Sequence, residues 1–324
     1  MNLLEYYGIL ADHIYVFFPA VLVYDEVHNF EHASHVTMSV TKLLSRIVAP
    51  SEIDQKASHG DASSMHDHTY GITSDPLTQF ACVFSAIIHD LDHPGVPNAT
   101  LVKEDAPLAK FYKGKSVAEQ NSVDLAFSIL GSDEFCDLRA AIYANNDEKA
   151  RFRQLVVNSV MATDIVDKEL KALRNARWEK AFSKEESDDC DKRAVDRKAT
   201  IVIEHLIQAS DIAHTMQHWH VYRKWNERLF MELHQAYKNG RSDVDPSTFW
   251  YKGEIGFFDF YIIPLAKKLK ECGVFGVSSD EYLSYAQQNR NEWEIRGQEV
   301  VAELIEKAKR ADAEAEQIIA ISSS

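Results

Sequence analysis

Hydrophobic and polar residues recur along most of the chain with the period of an α-helix. Segment 77–91 (LTQFACVFSAIIHDL) is apolar on most of its faces, which predicts a buried helix, and Pro94 and Gly95 end it. The same period predicts further helices over 153–165, 194–216, 219–237, 254–271, 279–290 and 292–321. No segment alternates apolar and polar residues between hairpin turns, so the predicted fold class is all-α.

Local signals mark helix ends and loops. Ser116 and Glu119 have the spacing of a capping box, which predicts a helix that begins there and ends near Gly131. Polar stretches predict three loops, at 51–74, 183–191 and 239–253. Residues with catalytic potential lie on both sides of each loop. We therefore expect one catalytic domain over 1–324, to which the helix 292–321 is appended.

Composition and charge narrow the class of partner. The formal net charge is -15 and no basic patch is evident, so nucleic acid and anionic lipid are poor partners. Four cysteines lie far apart with no C-x-x-C pair, which suits a reducing compartment. The apolar run 14–23 is shorter than the roughly 20 residues that span a bilayer, and it predicts a buried helix. We expect a cytoplasmic protein, or the cytoplasmic domain of a larger, membrane-attached one, without membrane insertion.

Three clusters of polar side chains could carry chemistry. His28 and His32 are four residues apart on one helical face, as two ligands or a ligand and a proton donor would be; a pair of surface histidines is the alternative. At 89–93 (HDLDH) a buried helix ends in ligand-type side chains, and a merely polar helix terminus is the alternative. Asp211 lies inside an apolar helix, where an aspartate is either metal-bound or held in a salt bridge.

Together these clusters form an H…HD…D pattern made of His32, His89, Asp90 and Asp211. A mixed nitrogen and oxygen set suits Zn²⁺, Mn²⁺ or Fe²⁺ better than Ca²⁺. A carboxylate such as Asp90 can also bridge to a second metal. Two adjacent metal ions can activate a water near neutral pH and offset the charge of a phosphodiester.

The chain resembles the catalytic domains of the class I cyclic nucleotide phosphodiesterases, within the HD superfamily of metal-dependent phosphohydrolases. The matching stretches are HNFEHASHV, HDLDHPGVPN, SVAEQN, MATD, SDIAH, VYRKWNER and GFFDFYIIPL, in the family's order over about residues 24–270. The resemblance implies a compact bundle of many α-helices that hydrolyses 3′,5′-cyclic nucleotides to 5′-nucleotides.

The resemblance also implies roles for individual residues. The first metal, usually zinc, is bound by His32, His89, Asp90 and Asp211. Asp90 also reaches the second metal, usually magnesium, for which manganese is the other candidate. Waters of the second metal are held by residues matching Glu119, Thr163 and His93, although the capping box is an alternative role for Glu119. His28 matches the general acid that protonates the leaving O3′, a task that a histidinium can perform near neutral pH.

A base pocket is implied in the same way. Phe257 matches the aromatic residue that stacks on the purine, and Ile212 and Leu229 match its apolar walls. Trp225 and Asn226 lie nearby in the sequence. As plain sequence, an aromatic residue at helical spacing is more often part of a core, so this assignment depends on the resemblance.

The main departure from the family is Glu254, which stands where the family has a glutamine that bonds the purine edge. An ionised glutamate only accepts hydrogen bonds, which suits the N1–H and N2–H₂ donors of guanine and disfavours adenine. We therefore expect a preference for cyclic GMP. Two alternatives stay open: a buried, protonated glutamate would regain a donor, and a surface glutamate would have lost nucleotide specificity.

Further departures lie close to the motifs. Val27 replaces a tyrosine, His35 an aspartate, Asn121 and Ser122 a pair of histidines, and His214 an asparagine of the pocket. They leave the predicted ligand set intact, so they bear on rate and specificity more than on the reaction.

Three other functions are alternatives to cyclic nucleotide hydrolysis. Another HD-type phosphohydrolase, acting on triphosphates or phosphorylated metabolites, would need a Lys/Arg cluster that the motifs lack. A catalytically dead domain that senses cyclic nucleotides would be expected to have lost a ligand. The Ala- and Glu-rich helix 292–321 can pack on the domain or mediate a homodimer, and the chain can equally be part of a longer signalling protein.

Overall fold

A computed structural model describes residues 29–47, 69–182 and 192–322. Within these ranges it contains α-helices and short 3₁₀ and π turns, and no β-strand, which confirms the all-α prediction. In chain order the helices are α1 Phe30–Ser45, α2 Pro76–Ile88, α3 Asn98–Lys103, α4 Pro107–Phe111, α5 Val117–Leu130, α6 Cys136–Ile142, α7 Asn146–Met161, α8 Lys168–Phe182, α9 Lys192–Asp211, α10 Trp219–Lys238, α11 Trp250–Phe257, α12 Ile263–Glu271 and α13 Val277–Ser322.

The centre of the bundle is α2, whose side chains are buried over most of its length. It packs against α1, α7 and α9, and α9 in turn packs against α1 and α12. The largest fully buried side chains of the bundle include Phe152, Phe230, Phe258 and Trp293, which come from α7, α10, the π turn and α13. Apolar residues from α1 to α13 thus share one main core.

The buried helix α2 ends earlier than its apolar pattern predicts. The helix stops at Ile88 rather than at residue 91, and His89 follows as its cap. Asp92 has a φ of 59°, in the left-handed region that ends a helix, and Pro94 cannot continue one. His89 and Asp90 thus lie just beyond the end of the helix.

The predicted helix 254–271 is divided into α11, a π-helical turn at Phe258–Ile262 and α12. Pro264 has no N–H to donate to the carbonyl of Phe260, and Ile263 instead donates to the carbonyl of Phe258. Conversely, the two predicted helices 279–290 and 292–321 are one helix, α13. Asn289, near the predicted break, donates to the carbonyls of Thr215 and Gln217 and leaves the helix intact.

The predicted capping box is wrong. Ser116 has a φ of 37° and makes no capping bond; its hydroxyl donates to Asp164 Oδ2 at 2.6 Å. Gly131 does end the helix, α5, as expected.

Other elements were missed or shifted. Sequence periodicity did not indicate α3, α4, α6 or α8, which are short or strongly polar. The predicted helix 194–216 ends at Asp211 and is followed by a 3₁₀ turn at Ala213–Met216, while 153–165 is the end of a helix that begins at Asn146. Part of the predicted loop 239–253 is a 3₁₀ turn and the start of α11. The predicted helix at 14–23 and the predicted loops at 51–68 and 183–191 lie outside the described residues.

Membrane insertion can be checked for the described helices. Among them, none is both long enough and apolar enough to cross a bilayer.

Candidate active site

His32 lies in the first turn of α1 and faces the core. The Asn29 side chain caps this helix by accepting a hydrogen bond from the His32 backbone N–H at 3.1 Å. The residue is 4% exposed, so its imidazole is buried. The cap therefore fixes where the helix begins and which face carries His32.

His89 and Asp90 are presented by the end of α2. The His89 Nδ1 atom lies 2.9 Å from the carbonyl of Ala86, which can only accept, so this nitrogen carries the proton. The Nε2 atom then has a lone pair, and it lies 3.0 Å from Asp90 Oδ2. A hydrogen bond that sets the tautomer in this way is typical of a histidine that binds a metal.

Asp211, the last residue of α9, completes the group. Its Oδ1 atom lies 3.1 Å from His32 Nε2 and 3.4 Å from His89 Nε2. The two Nε2 atoms are 3.3 Å apart, and Asp90 Oδ2 is 3.4 Å from His32 Nε2. All four ligand atoms lie within 4.8 Å of one another.

These distances fit a metal site. Bonds of about 2.0–2.2 Å at tetrahedral or octahedral angles separate neighbouring ligand atoms by about 3.0–3.5 Å. Five separations here fall between 3.0 and 3.4 Å. Two imidazole nitrogens and two carboxylate oxygens are also the donor types that suit zinc and manganese.

The electrostatics of the group point the same way. Burial alone would lower the pKa of His32 and His89, but the Asp90 and Asp211 carboxylates outweigh it and hold both above the usual range. Burial would raise the pKa of Asp211, but the two imidazoles hold it below its usual range. The pocket thus favours positive charge beside its carboxylates, and a divalent cation supplies that charge.

Glu119 lies in the first turn of α5, where it bonds Asn98 instead of forming a capping box. Asn98 Nδ2 donates to Glu119 Oε2 at 2.8 Å, and Asn98 Oδ1 accepts from the Ala118 N–H at 2.9 Å. Burial raises the pKa of Glu119 to about 7, although the Asn98 hydrogen bond lowers it. A carboxyl group with that pKa can donate or accept a proton at neutral pH.

The loop after α2 is tied to α5 by two of the departures from the family. Asn121 Nδ2 donates to Asp92 Oδ2 at 3.0 Å, and the Ser122 hydroxyl donates to the Leu91 carbonyl at 2.8 Å. His93 lies in the same loop, where its Nδ1 accepts from the Gly95 N–H at 3.3 Å. The substituted residues thus have a structural role here.

Thr163 follows the C-terminal end of α7. Its hydroxyl donates to the Val160 carbonyl at 2.7 Å, which leaves its oxygen lone pairs as acceptors. Its neighbour Asp164 is 5% exposed and accepts from Ser116 and from two backbone N–H groups. His28, the predicted general acid, lies outside the described residues.

Glu254 is buried in α11 and anchored by α10. The Tyr222 hydroxyl donates to Glu254 Oε2 at 2.5 Å, Asn226 Nδ2 lies 3.4 Å from the same hydroxyl, and Trp250 Nε1 donates to Asn226 Oδ1 at 3.3 Å. Burial raises the pKa of Glu254 to about 7, against the hydrogen bonds from Tyr222 and Asn226. The carboxyl therefore changes charge near neutral pH.

The predicted base-pocket residues lie on α10, α11 and the turn after α9. Phe257 is partly buried and stacks on Tyr261, with ring centroids 5.4 Å apart and planes inclined by 10°. Ile212 is buried and Leu229 is partly buried against the core. The Trp225 ring lies 5.4 Å from that of His32, so the predicted pocket adjoins the metal ligands.

His214 contacts Trp225 from the turn after α9, with ring centroids 5.7 Å apart. Burial and then the nearby His32 and His35 lower its pKa to about 3, so this imidazole is neutral. Its Nδ1 atom is buried and has no hydrogen-bond partner among the described residues.

Three structural partners were missed from the sequence. Asn98 holds Glu119, Tyr222 holds Glu254, and Asp164 receives Ser116. Asn98 and Tyr222 stand inside the motifs HDLDHPGVPN and VYRKWNER, which was the available signal. Nothing in their spacing shows which distant residue each would bond.

Comparison with known proteins places this geometry in a family. A family model described as 3′,5′-cyclic nucleotide phosphodiesterase matches residues 27–274. The chain belongs to this phosphodiesterase family. The family is metal-dependent, and the cluster of His32, His89, Asp90 and Asp211 can hold a metal ion.

Curated members of the phosphodiesterase family resemble the chain at moderate identity. A probable 3′,5′-cyclic-AMP phosphodiesterase of Caenorhabditis elegans is 26% identical over 74% of this chain and 33% of its own length. A dual specificity calcium/calmodulin-dependent 3′,5′-cyclic nucleotide phosphodiesterase of Homo sapiens is 25% identical over 73% of this chain and 30% of its own length. The chain thus spans about a third of the length of these relatives.

Solved phosphodiesterase structures share the fold. The phosphodiesterase domain of Salpingoeca rosetta rhodopsin phosphodiesterase superposes with a TM-score of 0.66 at 20% identity. The match covers 95% of this chain and 83% of that domain. At this identity the likeness concerns the helical architecture alone.

Proposed function

We propose that this chain is a single catalytic domain that hydrolyses 3′,5′-cyclic nucleotides to 5′-nucleotides. The observation that carries the proposal is the convergence of His32, His89, Asp90 and Asp211 from three separate helices on one point. The family match supports the substrate class, since members of this family are named for 3′,5′-cyclic nucleotides. The main hydrophobic core, which takes in residues of α1, α2, α9 and α13, supports a single domain.

The four side chains would hold a first divalent cation, best matched by zinc, and Asp90 would also reach a second, magnesium or manganese. Divalent cations bound there lower the pKa of water and offset phosphodiester charge. Glu119, Thr163 and His93 would hold the surrounding waters. Burial raises the pKa of Glu119 to about 7, so its carboxyl would be able to exchange a proton near neutral pH.

His28 would serve as the general acid. It precedes Asn29, the N-cap of α1, and lies four residues before His32. Protonation of the leaving O3′ by a positioned imidazolium contributes about 10²–10⁴-fold to the rate of such a step. His28→Ala should therefore matter less for a nitrophenyl phosphodiester, whose leaving group needs no proton.

Base recognition would be shared by Phe257 and Glu254. Phe257 would stack on the purine, and the Glu254 carboxyl, held at Oε2 by Tyr222, would meet the base edge. An ionised Glu254 accepts from guanine N1–H and N2–H₂ and repels the ring acceptors of adenine. The neighbouring buried His214 would add a second polar contact. We therefore propose a preference for cyclic GMP.

One experiment tests the proposal. Purified protein would be assayed with cyclic AMP and cyclic GMP side by side, with Zn²⁺ plus Mg²⁺ and with chelator, and 5′-nucleotide would be quantified chromatographically. We expect metal-dependent formation of 5′-nucleotide from both, with the higher kcat/KM for cyclic GMP. Absence of turnover on both substrates in protein that binds metal would reject the catalytic proposal, and a preference for cyclic AMP at every pH would reject the specificity.

A further inference from the structure

A cavity of about 480 Å³ lies between α8, α9 and the π turn with α12. Neither the metal ligands nor the proposed base-binding residues line it. Its volume falls within the roughly 300–1,000 Å³ that is usual for small-molecule sites. The polar groups on its walls indicate what it could bind.

One wall carries a buried cation. Arg174 is 7% exposed and donates to the carbonyls of Asp164, at 2.8 Å, and Met161, at 3.4 Å. The nearby Glu204 is engaged by Arg177 at 2.7 Å, and no carboxylate of the described residues forms an ion pair with Arg174. The carbonyls at the end of α7 offset part of the charge. A buried guanidinium without a counter-ion still favours an anion beside it.

Tyr261 lines a second wall. The Tyr261 hydroxyl is buried and has no partner within the described part of the chain. Tyr261 belongs to the π-helical turn Phe258–Ile262, and such turns are frequent at functional sites. A buried polar group left without a partner is costly, so an acceptor on a ligand would stabilise it.

The third wall is aromatic. The His205 and Trp178 rings lie 4.5 Å apart. His205 donates from Nδ1 to the Ile201 carbonyl at 2.8 Å, and burial lowers its pKa to about 3, so its Nε2 carries no proton. His205 therefore adds no positive charge to this wall.

The rim is close to neutral. Lys268 lies over the Trp178 ring, and Lys171, Glu179 and Glu271 are exposed beside it, so two cations balance two carboxylates. Because salt screens charges in solvent, the buried Arg174 and Tyr261 should determine which ligands bind.

We propose that this cavity binds a small planar aromatic anion, whose acidic group pairs with Arg174 and accepts a hydrogen bond from Tyr261. Tyr261 stacks on Phe257 at 5.4 Å, so a ligand that holds Tyr261 also restrains Phe257. Occupancy should therefore change the KM for the cyclic nucleotide. That consequence rests on the proposed function, whereas the binding itself does not.

Binding can be measured without catalysis. Naphthalene-2-carboxylate would be titrated calorimetrically into the whole chain, with naphthalene-2-carboxamide as the uncharged match. The variants are Tyr261→Phe, which keeps the ring, and Arg174→Met, with Tyr285→Phe, outside the cavity, as the matched control. Removal of an unpaired hydroxyl is not expected to destabilise the free protein. Tyr261→Phe therefore stays informative even if Arg174→Met does not fold.

We expect wild type and Tyr285→Phe to bind the carboxylate saturably and to bind the carboxamide little. Tyr261→Phe should bind the carboxylate about tenfold more weakly than wild type, or weaker still. Binding should persist in chelator and in the presence of 5′-GMP, which would exclude the metal site. Equal affinity for both probes, an unchanged affinity in Tyr261→Phe, or no binding at millimolar probe would overturn the proposal. Binding by a chain that hydrolyses no cyclic nucleotide would reject the proposed function and leave the cavity assignment standing.

Discussion

Asp211 closes the ligand group, and its two short contacts are both to imidazole nitrogens. Asp211→Ala removes an anionic ligand from a set of four, so we expect loss of metal binding and of hydrolysis with the fold retained. Hydrolysis and bound metal would be measured on purified protein. Asp312→Ala is the matched control, because both aspartate side chains are 22% exposed and both pair with a histidine. Turnover near the wild-type level in Asp211→Ala would contradict its role as a ligand.

Glu254 changes charge near neutral pH because burial raises its pKa to about 7. Below pH 7 the protonated carboxyl can donate to adenine, and above it the carboxylate only accepts. The ratio of kcat/KM for cyclic GMP over cyclic AMP should therefore rise with pH between about 6 and 8, by about tenfold, the usual worth of a charged hydrogen bond. Initial rates on both substrates across a pH series would measure it.

Glu254→Gln provides the control for that titration. Glutamine does not ionise and regains a donor, so the variant should show a lower ratio that does not change with pH. Tyr222→Phe removes the donor to Glu254 and should move the midpoint to higher pH, since this hydrogen bond lowers the pKa. A ratio that is flat with pH in the wild type and unmoved by Glu254→Gln would mean that Glu254 does not read the base.

Among the elements, long apolar helices were predictable and their ends were not. The buried pattern at 77–91 located α2, but beyond Ile88 the backbone forms tighter turns, with the Leu91 N–H bonded to the Ile88 carbonyl, which apolar periodicity does not record. The pair Ser116 and Glu119 has capping-box spacing, yet tertiary contacts to Asp164 and Asn98 took both side chains instead. Local patterns therefore predicted where helices occur, whereas contacts with residues distant in sequence determined which partners the polar side chains bond.

Asn98 links α3 to the first turn of α5. Asn98→Ala would leave the Ala118 N–H and one Glu119 oxygen without their partner, so we expect a loss of about 1–3 kcal/mol in the free energy of unfolding. Urea denaturation would measure it. Gln120→Ala, which removes only a solvent-exposed hydrogen bond to the Lys115 carbonyl, should change stability by less than about 0.5 kcal/mol. Equal losses in the two variants would show that the Asn98 hydrogen bonds add no more to the free energy of unfolding than an exposed one does.

Two helical glycines should respond to alanine in opposite directions. A Cβ at Gly297 would lie 2.9 Å from the rings of Trp293 and Tyr251, where α13 packs on α11, whereas at Gly256 the closest atom is 3.9 Å away. Alanine favours a helix over glycine by about 1 kcal/mol. Gly256→Ala should therefore gain stability, and Gly297→Ala should lose it through the clash. Thermal unfolding would compare them; a gain in both would mean that α13 shifts to make room.

At the scale of the whole molecule, the ligand set could be predicted because its residues stand in family motifs, although 179 positions separate His32 from Asp211 in sequence. Their meeting point depends on α1, α2 and α9 packing together in the core. The cavity beside Tyr261 was not predictable, because it is formed by α8, which has weak apolar periodicity, and by a π turn. Irregular geometry of this kind arises from packing and leaves little trace in a pattern of residues.

Metal binding should couple the three helices and so stabilise the whole fold. A ligand that binds only the folded state adds about 4 kcal/mol at a thousandfold excess over its Kd, which corresponds to a rise of several degrees in Tm. We expect Zn²⁺ or Mn²⁺ to raise the Tm of chelator-treated wild type, and Ca²⁺ to do so far less, since imidazole ligands disfavour it. Scanning fluorimetry would record the shifts, with Asp211→Ala and Asp312→Ala as variants. Because only Asp211 lies in the ligand group, an equal shift in both variants would place the metal elsewhere.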